Sequence, residues 1–151
     1  MVHLAYCDDK EKVLEKILDG SKRMVIRGAA GRKIPHSRVF EGEEIYFMKK
    51  GTGRISAKAK VLSVQNYIKL SQEESLKVIM DHQGKLNLSD KQIKRWNKKC
   101  LCLVEFHELE EITPLAFDHQ GNMDDWLIIE RIEDVVMGTS LPYNYEKSRF
   151  K

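Results

Sequence analysis

The chain has 151 residues, of which 42% are hydrophobic and 32% are charged, and its formal net charge is +3. These values are typical of one soluble globular domain and exclude a disordered segment. No apolar run is long enough to cross a bilayer, and the first residues lack the plan of a signal peptide, which predicts a cytoplasmic protein without a membrane partner. An odd number of cysteines favours reduced, buried thiols; the three are Cys7, Cys100 and Cys102.

The charges are distributed unevenly along the chain. Residues 20–60 hold eleven lysines or arginines and three acids, whereas residues 105–134 hold ten acids and one arginine. Such a separation predicts a polyanionic partner, because it focuses a positive field on one region. The alternative, which the sequence leaves open, is that the two regions neutralise each other across the folded surface.

The first part of the chain predicts a strand, a helix and a second strand. Residues 1–6 alternate loosely in hydropathy, as a strand does. Asp8 and Glu11 form a capping box, which predicts a helix that begins there and ends at Gly20 as a left-handed cap. Residues 23–27 then predict a short strand.

A basic, glycine-bracketed loop follows, and after it a hairpin. Residues 45–48 and 54–64 predict two strands, which are joined by a turn at residues 49–53 whose glycines suit hairpin geometry. The second of these strands alternates plainly between apolar and polar residues. Its predicted inward-facing residues are Ile55, Ala57, Ala59 and Val61.

Two capping boxes in the middle of the chain predict two helices. Ser71 with Glu74 opens a helix that ends at Gly84, and Ser89 with Gln92 opens a short basic helix. The apolar side of the first helix holds Leu76, Ile79 and Met80.

The last third of the chain predicts mostly strands. Residues 100–106 are nearly all apolar and predict a central strand. Residues 111–117 predict a further strand that is interrupted at Pro114, and residues 126–129 predict a last one. Because strands dominate and pair by hairpins, the pattern predicts an α+β fold in which a small mixed barrel carries peripheral helices.

The exit from the first helix carries a motif. There a helix ends in Gly-x-Lys and the next strand closes with Arg, which resembles the Gly-x-Lys-x-x-x-x-Arg signature of the ASCH domain, a PUA-like β-barrel family. The signature residues are Gly20, Lys22 and Arg27. Residues 41–45, 54–64 and 102–106 resemble, in the same order, the family's step into the next strand, its return strand and the strand that closes its barrel.

The resemblance covers roughly residues 3–109. It implies a PUA-like mixed β-barrel with flanking helices as a core over residues 1–109. A C-terminal extension packed on that core, residues 110–137, and a flexible tail, residues 138–151, are expected to follow.

What the resemblance implies about function divides in two. Many ASCH and PUA-like domains bind RNA or other nucleic acid in a cleft beside the signature. One branch is an amidohydrolase that acts on N4-acetylcytidine with a Lys, a Thr and a Glu. Lys22 stands at the lysine position, but Val25 stands at the threonine position without a hydroxyl, and residues 84–85 fall where the glutamate is expected. Lys22 is therefore the catalytic candidate if the chain is an enzyme.

The sequence thus predicts an RNA- or nucleotide-binding domain with no cofactor and no metal. Guanidinium and ammonium groups suit phosphate oxygens, and a tryptophan on a basic helix suits base stacking. The predicted nucleic-acid-binding residues are Lys22, Arg23, Arg27, Arg32, Lys33, Arg38, Arg54, Lys58 and Trp96. Two alternatives remain open: a hydrolase of an acylated nucleoside or of RNA, and a protein-interaction module whose acidic residues 105–134 form the contact surface.

Other polar clusters have simpler interpretations. Cys100 and Cys102 share one strand face while His107 falls on the opposite one, which predicts packing rather than metal ligation. A polar turn, which turn chemistry explains without a cation, contains Asp118, His119, Asp124 and Asp125. The acids expected near the barrel mouth as partners for Lys22 are Glu73, Glu74 and Glu105.

Overall fold

The computed structural model describes residues 1–118 and 125–142, and in that part of the chain six strands form one curled sheet. The strands are β1 (Val2–Cys7), β2 (Met24–Ala29), β3 (Glu44–Lys49), β4 (Arg54–Tyr67), β5 (Cys100–Ala116) and β6 (Trp126–Ile129). Their order in the sheet is β2-β5-β4-β3-β1-β6. Neighbours are antiparallel except for β1 and β3, which are parallel. This is the mixed sheet that the sequence predicts.

Four short helices and one 3-10 helix accompany the sheet in the described ranges. They are α1 (Val13–Leu18), α2 (Gln72–Asp81), α3 (Gln83–Leu86), α4 (Asp90–Trp96) and the 3-10 helix Ile132–Val135. The capping boxes predicted at the starts of α2 and α4 are both present. None of these helices is long and apolar enough to span a membrane. The predicted α+β class is confirmed.

Strand β2 is buried on both faces. Val25 packs in the interior of the curled sheet, in the same apolar cluster as Trp126. Met24 and Ile26 point the other way and pack in a second cluster, which includes Leu86 of α3. Because β2 separates these two clusters and its side chains alternate between the faces, Arg27, two residues after Val25, lies on the same interior face as Val25.

Burial agrees with the predicted pattern in β4 and departs from it in α2. The four inward-facing residues predicted for β4 are all buried. In α2, Ile79 and Ser75 are buried, but Leu76 and Met80 are 40% and 51% exposed. Helix α2 therefore contacts the rest of the protein along a narrower stripe than the sequence predicts.

Strand β5 runs unbroken through Pro114 as one strand of 17 residues, so the prediction of two separate strands is wrong. The register of β4 against β5 shifts between Ile55 and Ala57, which face Leu115 and Glu111. Pro114 lies between Glu111 and Leu115, in the part of β5 where this shift occurs. Proline has no backbone N–H to donate, and it is tolerated where a bulge already interrupts the ladder of hydrogen bonds. The proline is therefore accommodated within the strand and does not end it.

The last strand belongs to the same sheet. β6 pairs with β1, and Ala5 lies opposite Trp126. The expected boundary after residue 109 falls inside β5, so residues 110–116 and β6 are structural parts of one sheet with the preceding chain. Residues 143–151 of the expected tail lie outside the described residues.

Two predicted helix boundaries are wrong. α1 begins at Val13, because the Asp8 side chain accepts two backbone N–H groups at 2.9 and 3.3 Å and caps a separate turn ahead of the helix. α2 ends at Asp81, and Gly84 lies inside α3. The left-handed residue predicted after α1 is confirmed, since Gly20 has a φ of 84°.

Candidate functional site at the seam of the sheet

The two cations of the signature motif are placed by strand β2. Lys22 lies just before the strand and is only 3% exposed. Arg27 follows Val25 by two residues, and successive strand residues alternate between faces. Arg27 therefore lies on the interior face of the curled sheet, where a charged group needs polar partners.

Arg27 connects the two edges of the sheet. The edge strands of the sheet are β2 and β6. The Arg27 Nη2 donates to the Tyr6 carbonyl oxygen in β1 at 2.8 Å and to the Asp125 carbonyl oxygen, just ahead of β6, at 3.4 Å. The Nη1 donates to the Ile26 carbonyl oxygen at 2.9 Å. We call this place, where Arg27 meets Tyr6 and Asp125, the seam.

Two tryptophans flank the Arg27 guanidinium. Its central carbon lies 5.3 Å from the centroid of the Trp96 ring and 5.4 Å from that of Trp126. Cation–π contacts at this distance are attractive, and they strengthen as the cation is removed from water. The chain has only two tryptophans, so both of them contact this one side chain.

Trp126 is held in position by a buried histidine. Its Nε1–H donates to His3 Nδ1 at 3.0 Å, and His3 Nε2 lies 2.9 Å from a Glu43 carboxylate oxygen. Since Nδ1 accepts, Nε2 carries the ring proton and donates it to Glu43. Burial lowers the pKa of His3 and outweighs the raising effect of Glu43, so the neutral ring that accepts from Trp126 is favoured.

Trp96 reaches the seam because the end of α4 packs directly against β2. A Cβ atom at Gly28 would lie 2.5 Å from the Trp96 carbonyl oxygen and 3.0 Å from Leu101 Cδ2. Only glycine leaves room for this approach. The Arg95 guanidinium lies on the Trp96 ring, 4.4 Å from its centroid. The indole of Trp96 therefore contacts two guanidinium groups.

Asp125 is the anionic group at the seam. Its carboxylate accepts from Lys50 at 3.0 Å and from Arg95 at 2.8 Å. Burial alone would raise the pKa of Asp125, but the Lys50 hydrogen bond and the charges of Arg27 and Arg95 outweigh burial and lower it. The sequence predicts only a polar turn here, because the approach of residue 125 to residue 27 depends on how the sheet curls.

Lys22 lies on the inner side of the site. Its Nζ donates to the Leu86 carbonyl oxygen at the end of α3. Burial, together with the nearby Arg27 charge, lowers the pKa of Lys22 from 10.5 to about 7. Near neutral pH a large fraction of the Lys22 amine is therefore uncharged.

Two adjoining hollows lie at the seam. Their shared lining residues include Arg27, Arg95, Trp96 and Asp125. The inner hollow has about 30 Å³ of space and is also lined by Lys22 and Asp8. The outer hollow has about 120 Å³ of space and is also lined by Gly28, Lys33, His36 and Trp126. Lys22 and Arg27 thus line one hollow together, and Arg27 lines both.

His36 forms part of the outer hollow with a fixed tautomer. Its Nε2 lies 3.0 Å from the Tyr67 carbonyl oxygen, so Nε2 carries the proton and donates it. The Nδ1 then accepts from the Ser37 hydroxyl at 2.8 Å. Because both ring nitrogens are engaged, the buried His36 ring contributes shape to the hollow and not a free base.

Four of the nine predicted nucleic-acid-binding residues line the hollows. They are Lys22, Arg27, Lys33 and Trp96. The other five line neither hollow; they are Arg23, Arg32, Arg38, Arg54 and Lys58. Among these, Arg23 and Arg32 are exposed and Arg38 is half-buried.

Arg54 and Lys58 lie at the far end of the β4 strand. Val64 is the β4 residue level with β2, because Val104 of β5 pairs with both Val64 and Val25. Arg54 is ten positions from Val64 along the strand, a distance of about 33 Å in extended backbone. Lys58 faces Glu110 at 3.8 Å. The basic and acidic parts of the chain therefore neutralise each other in part.

Two of the three acids expected beside Lys22 are engaged elsewhere, and the third, Glu73, is exposed in the first turn of α2. A Glu74 carboxylate oxygen accepts a backbone N–H in the α2 capping box at 2.9 Å, and Glu105 accepts from Lys85 at 3.0 Å. The acids that line the inner hollow are Asp8 and Asp125. The sequence marks Asp8 only as a helix cap and Asp125 only as part of a polar turn, and neither pattern points to a site beside Lys22. The position of Asp125 directly before the predicted strand at Trp126 is the sequence signal that could have drawn attention to it.

Cys100, Cys102 and His107 do not form a metal site. Cys100 and Cys102 are buried and free, and the His107 ring is 44% exposed. Within residues 1–118 and 125–142, no three His, Cys, Asp or Glu side chains come together as metal ligands. His119 and Asp124 of the predicted polar turn lie outside the described residues.

The lowered pKa of Lys22 predicts a pH dependence of stability. Between the folded value of about 7 and the ordinary value of 10.5, the unfolded chain binds more protons than the folded chain. The free energy of unfolding therefore rises with pH in this window, by at most about 1.4 kcal/mol per pH unit. We expect the free energy of unfolding of the unaltered protein, measured relative to that of Lys22→Met, to rise by about 2 kcal/mol from about pH 7 to about pH 9.

Urea unfolding of both proteins at several pH values measures this difference. The thiols of Cys7 and Cys102, whose pKa burial raises to about 12, oppose the slope equally in the two proteins and cancel in the comparison. A stability difference between the two proteins that stays constant with pH would contradict a folded-state pKa near 7 for Lys22.

Comparison with known proteins gives the fold an independent check. No protein-family model and no curated protein sequence matches the chain. Among solved structures, ASCH from Zymomonas mobilis matches with a TM-score of 0.63 at 12% identity, over 88% of this chain and 90% of that chain. Two point variants of that protein match with TM-scores of 0.63 at 11% identity, over 86% of this chain and 89% and 91% of theirs. The chain therefore has an ASCH-like fold, as its Gly-x-Lys-x-x-x-x-Arg motif predicts.

Proposed function

We propose that this protein binds RNA or a nucleotide at the seam, with a base in the outer hollow. The observation that carries the proposal is the Arg27 guanidinium, which lies between two indole rings and lines both hollows. Arginine beside aromatic rings is the combination with which single-strand binders stack bases and contact phosphates.

The size of the outer hollow favours a single ring. Its space of about 120 Å³ is close to that of an engineered cavity of roughly 150 Å³ that holds one benzene molecule. A pyrimidine ring fits such a space. The inner hollow, with about 30 Å³, has room for only about two water molecules or an exocyclic group.

The lining residues divide between base and phosphate. The Trp96 ring already contacts Arg27 and Arg95, so a base that stacks on this ring takes the place of Arg95, whose side chain is 46% exposed. Lys33 is exposed at the edge of the outer hollow and suits a phosphate oxygen. Arg27 stays in place, since three backbone carbonyl oxygens hold it.

Fluorescence anisotropy with a labelled oligouridylate tests the proposal. Trp96→Ala is expected to weaken binding roughly tenfold or more, since stacking on an aromatic ring contributes about 1–3 kcal/mol per base. Phe40→Ala is the matched control, because Phe40 is 62% exposed and lines neither hollow. Equal affinities for the two variants would contradict a base site at Trp96, provided that circular dichroism shows both variants folded.

A second candidate function is hydrolysis of an acylated nucleoside or of RNA, and Lys22 is the observation that favours it. An amine whose pKa is about 7 can take a proton from water at neutral pH. Val25 has no hydroxyl, so water and not a side chain would attack the substrate. Incubation with N4-acetylcytidine and with single-stranded RNA tests this function: turnover that Lys22→Met abolishes supports hydrolysis, and binding without turnover excludes it for these substrates.

A further inference from the structure

Helix α4 has one face against the protein and one face in solvent. Gln92 is buried, and Ile93 and Trp96 are half-buried. The exposed side carries Lys91 and Lys94. Two further exposed lysines, Lys98 and Lys99, follow directly after the helix. We call the four exposed lysines the α4 lysine face.

The four lysines of this face differ from most of the basic residues near the seam. Within residues 1–118 and 125–142, none of the four forms an ion pair. By contrast, Lys49 pairs with Glu15, Lys50 with Asp125, and Lys85 with Glu105. The only acid on the α4 segment, Asp90, lies at the start of the helix. The α4 lysine face is therefore a patch of uncompensated positive charge.

The α4 lysine face is continuous with the outer hollow. Trp96, the last residue of α4, lines the hollow with its neighbour Arg95. Arg95, which is exposed, lies one turn after Lys91 on α4, so these two side chains are neighbours on the helix surface and Arg95 joins the lysines to the hollow. Helix α4 has seven residues, a length of about 10 Å. A chain of phosphates that starts from a base in the hollow can follow this surface.

We propose that the ligand is a single strand of RNA, with one base in the outer hollow and its neighbouring phosphates along the α4 lysine face. The inference rests on the proposed function and adds a second contact surface to it. Free lysines without paired acids bind phosphates by releasing counterions. A free nucleotide would leave the face unused, and an acidic peptide would leave the ring-sized hollow unused. The α4 lysine face therefore supplies affinity for the strand, and the hollow selects the base.

The experiment compares binding of uridine 5′-monophosphate and of a single-stranded oligouridylate to matched variants. One variant neutralises the face with Lys91→Gln, Lys94→Gln, Lys98→Gln and Lys99→Gln. The control removes the same charge elsewhere; its substitutions, at exposed lysines, are Lys10→Gln, Lys12→Gln, Lys60→Gln and Lys77→Gln. The face variant should lose tenfold or more in oligouridylate affinity at low salt. Its slope of log affinity against log salt should flatten by up to about 3, at roughly 0.7 per phosphate contact.

The outcomes distinguish failure of the α4 lysine face from failure of the proposed function. Unchanged binding of the monophosphate with weakened binding of the oligouridylate supports the α4 lysine face. Equal losses in the face variant and the control would overturn it, because net charge alone would then account for the effect. Competition by polyglutamate as effective as that by RNA would overturn it in favour of an acidic protein partner. If the unaltered protein binds neither probe, the proposed function fails, and the proposal for the α4 lysine face, which rests on it, fails with it.

Discussion

Arg27→Ala is expected to lower the free energy of unfolding by about 3–5 kcal/mol, the cost of removing one member of a buried charged network. The Arg27 side chain donates to the Tyr6 and Asp125 carbonyl oxygens across the seam, and its removal withdraws these bonds. The two indoles also lose the cation that lies between them. On our proposal the same variant loses measurable RNA binding, because both hollows lose a wall.

Arg23→Ala is the control for Arg27→Ala. Arg23 lies four residues earlier in the same stretch, but its side chain is exposed. Its replacement is expected to change the free energy of unfolding by no more than about 0.5 kcal/mol. Chemical denaturation of the two variants gives the comparison. A cost for Arg27→Ala as small as that for Arg23→Ala would show that the seam does not depend on the guanidinium.

Gly28→Ala is expected to lower the free energy of unfolding by about 1–3 kcal/mol, which is the usual effect of overpacking a tight contact. The added methyl would lie 2.5 Å from the Trp96 carbonyl oxygen, which is backbone and cannot rotate away. The end of α4 must then move off β2, and the Trp96 ring moves with it. We therefore expect a shift in tryptophan emission and weaker oligouridylate binding together with the loss of stability.

Gly31→Ala provides the matched glycine variant. A Cβ atom there has nothing within 4 Å, and the substitution is expected to stay within about 0.5 kcal/mol of the unaltered protein. The pair thus separates the general cost of losing a glycine from the specific contact with α4. If the two variants unfold at the same denaturant concentration, the close approach of α4 to β2 does not constrain the fold.

Much of the fold follows from local patterns in the sequence. The alternation in β4 predicts its four buried residues, and the Ser71 and Ser89 capping boxes predict where α2 and α4 begin. These predictions succeed because each depends on residues that are neighbours along the chain. Pro114 shows the limit, since its tolerance in β5 depends on a register shift opposite Ile55 that no local pattern reveals.

The site was predictable only on the side that the motif marks. Gly-x-Lys-x-x-x-x-Arg places Lys22 and Arg27 together, and both line the inner hollow. Asp125 and Trp126 complete the seam from almost a hundred residues away, because the last strand returns beside β1. Such contacts follow from the order of strands in the sheet, and single-sequence periodicity does not contain that order.

Charge counting identified basic residues but not their partners. Lys58 is part of the most basic stretch of the sequence, yet it faces Glu110 on the neighbouring strand. The lysines of α4 attract less notice in the sequence, yet within the described residues they have no acidic partner. Pairing across strands therefore decides which cations remain available to a polyanion.

The most direct measurement of the central claim uses the two tryptophans as reporters. The chain contains only Trp96 and Trp126, so a ¹⁵N correlation spectrum has two indole N–H signals, both from rings that contact Arg27. On titration with a single-stranded oligouridylate, we predict that both signals shift and saturate together with the affinity measured by anisotropy. Saturable RNA binding that leaves both indole signals unmoved, with shifts confined to residues 54–60, would contradict a base site at the seam.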